Sequence, residues 1–71
     1  MVKYIVKPRL GELLKERKLT QLQLQELSGV PQASISRFDS NKRHEDAHLV
    51  AISRALGVAI EDLFEITPVR E

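Results

Sequence analysis

Seventy-one residues form one small domain (1–71), which buries only about 60% of the surface its unfolded chain exposes, so the core must be thin. The absence of cysteine excludes disulfides, zinc ribbons and thiol catalysis, and no apolar run approaches the roughly 20 residues that span a bilayer. The net charge of +1 divides into +5 over residues 1–43 and −4 over residues 44–71, a polarity that suits a protein turning one face to a polyanion, and equally an ordinary solvated surface.

The chain begins MVKYIVKPRL, whose apolar stretch is too short for a signal peptide and lacks a small-residue cleavage site. A soluble, cytoplasmic protein is the expectation. Residues 2–6, VKYIV, are β-branched and aromatic, as are residues 64–69, FEITPV, near the other end. The two are expected to pair as an antiparallel ribbon closing the domain. The alternative is a basic arm and a frayed tail, a setting in which Tyr, Ile and Val seldom occur together.

Helical periodicity starts in PRLGELLKERK. Leu10, Leu13 and Leu14 fall at i, i+3 and i+4, and Pro8 stands at or before the first turn, where its missing N–H costs nothing. Lys15, Arg17 and Lys18 suit the last turn through the helix dipole. The next stretch, LTQLQLQELSGV, alternates like a strand over Leu22–Gln25, yet helix is the stronger reading. Thr20 and Gln23 fit a capping box, Leu24 and Leu27 lie three apart, and Gly29 can take positive φ past the end. Leu22 is then left facing solvent.

Val30 precedes Pro31 and must be extended. Pro31 opens a third helix, PQASISRFDS, which buries Ile35 and Phe38 and turns Gln32, Ala33, Ser36 and Arg37 to the other side. Asn41, able to adopt the left-handed conformation, ends it. A fourth helix runs from about Asp46 to Leu56, with Leu49, Ile52 and Leu56 on one face and Gly57 as a stop. A fifth, AIEDLFE, is expected to bury Ile60, Leu63 and Phe64.

Residues 44–48 read HEDAH and match H-E-x-x-H, in which two helical histidines hold zinc beside a glutamate base. Such a site needs both histidines inside one helix and a third protein ligand. Here His44 follows a loop and Glu45 or Asp46 starts the helix, so only His48 is securely helical. No third histidine exists. Solvent-exposed histidines at a loop–helix junction are expected instead, with no metal site, no cofactor and no catalytic set.

The unit at residues 20–39, a helix, a tight turn at Gly29-Val30 and a second helix, is a helix-turn-helix with Leu24, Val30 and Ile35 placed to pack the pair. From L-T-Q, L-S-G-V, Q-A-S-I-S-R, N-K-R and A-L-G-V followed by D-L-F, residues 9–64 resemble the phage repressor and Cro-like (Xre) helix-turn-helix family. The resemblance implies a mainly α, compact five-helix, lambda-repressor-like domain. It also implies double-stranded DNA as partner, and commonly a homodimer on a two-fold site.

Carried over by the resemblance, Gln21 touches the DNA backbone, Gln32 and Arg37 reach base edges, and Ala33 meets a thymine methyl. Ser34 meets a phosphate, Ser36 a base or the backbone, and Asn41, Lys42 and Arg43 grip adjacent phosphates. Each has a structural alternative. Gln32 and Ser34 can organise the helix start, Arg37 can pair with Asp39, and Lys42 and Arg43 can form a solvated loop.

The sequence departs from the family at four positions. Gln25 stands where a small Ala is usual at the helix crossing, so either it swings outward or the crossing is looser. Pro31 replaces Ser or Thr, so side-chain capping of the third helix is lost. Ser40-Asn41 stands for Asn-Gly, and Asp46 falls near a position that is often apolar. The expected function is a transcriptional regulator, a repressor acting by operator occupancy. The alternatives are an antitoxin that binds its own promoter and a toxin protein partner, and a protein-interaction module without DNA binding.

Overall fold

The computed structural model describes residues 2–70. In chain order it contains β1 (Val2–Pro8), α1 (Leu10–Arg17), α2 (Gln21–Ser28), α3 (Gln32–Arg37), α4 (Asp46–Leu56) and β2 (Phe64–Arg70). Single 3-10 turns at Phe38–Ser40 and Ile60–Leu63 follow α3 and precede β2. Helices form the body, and the two terminal strands pair antiparallel beside it, from Val2 opposite Arg70 to Pro8 opposite Phe64. The ribbon is one residue longer at the β2 end, and two at the β1 end, than the sequence suggests.

The core is assembled from the residues that helical spacing selects. Leu10, Leu13 and Leu14 of α1 meet Leu24, Val30, Ile35, Phe38, Ile52, Leu56 and Leu63, all buried. Leu22, at 54% exposed, faces solvent as expected, and Leu27 does too. The helix boundaries follow local chemistry. Thr20 Oγ1 accepts the Gln23 N–H at 3.1 Å while Gln23 Oε1 accepts the Thr20 N–H at 2.8 Å, closing the capping box. Gly29 (φ 78°) and Gly57 (φ 67°) end α2 and α4 in the left-handed region, where the absence of Cβ removes the steric penalty.

Four expectations are corrected. Among the described residues there are four α-helices, and AIEDLFE does not form a fifth. Pairing of Phe64 with Pro8 draws the chain into the ribbon, leaving room for one 3-10 turn, which Asp62 caps by accepting the Ala59 N–H at 3.1 Å. Ile60 is consequently exposed. Third, α3 stops at Arg37, tightens through Phe38–Ser40, and leaves Asn41 extended (φ −89°, ψ 141°) where a left-handed stop was expected. Among the described residues, the left-handed residue outside glycine is Lys18, which ends α1 at φ 56°.

The fourth concerns the histidines. His44 is half-buried: its ring lies 4.0 Å from that of Phe38 and 5.7 Å from that of Phe64. Its Nε2 is 2.7 Å from the Phe38 carbonyl oxygen, which makes it the donor nitrogen. His48 is also half-buried, with Nε2 3.2 Å from Glu45 Oε2. Glu45 is the N-cap of α4 and Asp46 its first residue, so His44 lies outside the helix. No cluster of three metal-ligating side chains exists among the described residues.

Candidate functional site

The site is built on α2, the Gly29–Pro31 turn and α3. In α3, Ile35 is buried, Ser34 half-buried, and Gln32, Ala33, Ser36 and Arg37 are exposed. That is the division expected of a helix with one side anchored and the other presented. The anchor is firm: Leu24 and Val30, at 0% and 2% exposed, pack with Ile35 in one cluster. Gln21 is the first residue of α2 and is exposed. Asn41, Lys42 and Arg43 follow α3 and are exposed as well.

Pro31 brings no side-chain hydrogen bond to the start of α3, and Gln25 makes good the loss. Its Oε1 accepts the Gln32 N–H at 2.7 Å. Of the two outcomes open for this bulky residue at the crossing, a free outward swing does not describe it. The side chain reaches across and ties α2 to the first residue of α3. The Ser28 hydroxyl closes the turn from inside, donating to the Leu24 carbonyl at 2.7 Å and accepting the Val30 N–H at 3.1 Å. The backbone approach to α3 is thereby held from two sides, while the Gln32 side chain projects from the exposed surface.

Arg37 does not pair with Asp39. Asp39 turns away to the start of α1, where its two oxygens accept the Leu10 and Gly11 N–H groups at 2.7 and 2.8 Å. Arg37 makes no ion pair among the described residues and keeps its guanidinium on the exposed side. An open groove of about 220 Å³ runs between α3 and α4. It gathers Ala33, Ser34, Arg37, Asn41 and Arg43 of the expected set and adds His44, Glu45 and His48. Gln21, Gln32, Ser36 and Lys42 lie outside that groove, on the surrounding surface.

Two contributors escaped sequence reasoning. Gln25 was visible as an oddity, but its partner depends on the angle at which α2 meets α3. Asp39 carried no local signal, since the donors it satisfies lie 28 and 29 residues away. The chemical capacity of the surface is recognition by hydrogen bonding and positive charge. Three amides, two hydroxyls, a guanidinium and the Lys42–Arg43 pair offer donors to phosphate oxygens and base edges.

A family model described as the Cro/C1-type HTH DNA-binding domain matches residues 9–68. No curated protein and no solved structure matches the chain. No helix among the described residues is long and apolar enough to cross a membrane.

Proposed function

Because the chain belongs to the Cro/C1-type helix-turn-helix DNA-binding domain family, we propose that it is a sequence-specific transcriptional regulator. It binds double-stranded DNA in the cytoplasm as a homodimer and represses by occupying an operator. The observation that carries this reading is the two-sided character of α3: Ile35 is locked into the core while Gln32, Ala33, Ser36 and Arg37 are exposed. Such a helix can enter the major groove with its polar side against base edges while the preceding helix crosses the backbone.

The roles are those the family resemblance implies, and donor and acceptor chemistry supports each. Gln32 bridges adenine N6 and N7, Arg37 bridges guanine O6 and N7, and Ala33 meets a thymine methyl. Gln21, Ser34, Asn41, Lys42 and Arg43 contact phosphates, and Ser36 a base or the backbone. Gln25 acts indirectly, by fixing where α3 begins.

Selection of bound sequences from random duplex DNA, followed by titration in salt, tests this. A repressor of this kind enriches one two-fold symmetric sequence, with log affinity falling by roughly 0.9 per log unit of salt for each phosphate neutralised. Salt-sensitive binding without any enriched sequence removes the operator reading. Absence of salt-sensitive binding replaces it with a protein-interaction module.

A further inference from the structure

The ribbon of β1 and β2 carries a pattern that the DNA-facing surface does not use. The Arg9 N–H donates to the Leu63 carbonyl at 2.9 Å, and the strands continue in the same register to Val2 opposite Arg70. In an antiparallel ladder, hydrogen-bonded and non-hydrogen-bonded pairs alternate. The pairs of Lys7 with Glu65, Ile5 with Thr67 and Lys3 with Val69 therefore carry the internal bonds. Val2, Tyr4 and Val6 direct their N–H and C=O groups away from β2, as Phe64, Ile66 and Arg70 direct theirs, and Pro68 its C=O, away from β1.

The two free edges are unequal. Pro68 removes a donor from the middle of the β2 edge, a common way of blocking strand addition. The β1 edge runs uninterrupted from Val2 to Val6, and Pro8 stops it only where the helical body begins. The side chains of Val2, Tyr4 and Val6 share one face with Ile66 and Pro68. They are 42%, 64% and 52% exposed, with Ile66 at 42%. An isolated two-stranded ribbon with an uncovered apolar face is marginal in water.

We propose that the β1 edge is the dimer interface: β1 pairs antiparallel with β1 of a second copy, making a four-stranded sheet about a two-fold axis. The register follows from charge. With Tyr4 opposite the second copy's Tyr4, and Val2 opposite its Val6, all three outward residues pair, forming about six hydrogen bonds. Lys3 then lies opposite Ile5. Sliding by two residues one way sets Lys3 opposite Lys7, and the other way sets Lys3 opposite Lys3, both like-charge pairs that destabilise. The favoured register also aligns Val-Val and Tyr-Tyr contacts along one face, the pairings that stabilise sheets. The edge is compatible with itself under a two-fold, and with the homodimer proposed above this makes the occupant another copy of the chain. The inference rests on the homodimer reading proposed above, and not on which DNA sequence is bound.

Two proline variants of the full chain test it, read by sedimentation across a concentration series without DNA. Tyr4→Pro removes an outward N–H while leaving every β1–β2 hydrogen bond in place, and Ile66→Pro does the same on the opposite edge. The parent and Ile66→Pro are expected at twice the chain mass and Tyr4→Pro at the chain mass. A monomeric parent, or a dimer unaffected by Tyr4→Pro, overturns the proposal. Since proline can also loosen the ribbon, single cysteines in this cysteine-free chain give a second measurement. Opposed residues of a hydrogen-bonded pair have Cα atoms about 5.5 Å apart, within the range of roughly 4.4–6.8 Å that a disulfide spans. Tyr4→Cys is expected to oxidise to a covalent dimer while Ile66→Cys forms no intermolecular disulfide under the same oxidant. Cross-linking at Ile66→Cys and not at Tyr4→Cys would mean that the ribbons meet by their faces, and the edge proposal would fail.

Discussion

Gln25 on α2 and Gln32 on α3 are joined by one hydrogen bond, 2.7 Å from side-chain Oε1 to backbone N–H. Two departures from the family pattern, a long side chain at the helix crossing and a proline at the helix start, thereby compensate each other. A helix N-terminus has backbone donors without intrahelical partners, and an acceptor there stabilises by about 1 kcal/mol. Gln25→Ala is expected to lower stability by about that amount in chemical denaturation. Adding Pro31→Ser, which restores a local cap, should recover part of the loss. An unchanged unfolding midpoint in Gln25→Ala would show that water replaces the glutamine at no cost.

Asp39 and Gly11 make a second such pair, with the opposite sensitivity. A Cβ built on Gly11 lies 3.0 Å from Asp39 Oδ2, because the carboxylate needs that approach to accept two N–H groups of α1. Gly→Ala inside a helix ordinarily stabilises by about 1 kcal/mol. At Gly11 the gain should vanish or reverse, and Asp39→Ala should cost about 1–3 kcal/mol, as for bonds to a charged acceptor. Thermal unfolding of both variants checks this. A Gly11→Ala protein more stable than its parent would mean that the carboxylate is free to move.

His44 is held by its ring and by one hydrogen bond, so its replacement should be felt in folding. His44→Ala is expected to destabilise by about 1–3 kcal/mol, through loss of the stack on Phe38 and of the donor to its carbonyl. His44→Phe should keep part of the stacking and lose the bond. Zinc chelation should leave the parent's unfolding temperature unchanged; a fall on chelation would restore the H-E-x-x-H pattern to consideration.

Arg37 and Lys42 should separate specificity from general attraction. Arg37→Ala is expected to cost about 1–3 kcal/mol on the selected operator and to relax preference at one base pair. Lys42→Ala should weaken binding to all sequences alike and reduce the salt slope by about 0.9. Competition binding with operator and scrambled duplexes at several salt concentrations distinguishes the two. If both variants lose affinity without changing preference, Arg37 belongs with the phosphate contacts.

What the amino-acid sequence by itself determined is what acts over a few residues. Thr20 and Gln23, three residues apart, close a capping box, Gly29 and Gly57 stop helices, and leucines at helical spacing select the buried face. The presented residues of α3 follow from the same periodicity, since burying Ile35 turns Gln32, Ala33, Ser36 and Arg37 outward. The terminal ribbon was also legible, because β-branched and aromatic runs at both ends favour extended, paired strands.

Only the tertiary structure decided contacts that depend on how elements cross. Gln25 reaches Gln32 because α2 and α3 meet at one angle, and Arg17 reaches the Leu56 carbonyl, at 2.7 Å, because α1 lies beside the end of α4. Asp39 passes its near neighbour Arg37 to cap a helix 28 residues earlier. The same competition decided the segment before β2: the sequence favoured a fifth helix over residues 59–65, but strand pairing with Pro8 took Phe64 and left a single turn. Periodicity reports which side of an element is buried. Which polar group ends beside which depends on crossing angles and registers set by the whole packed core.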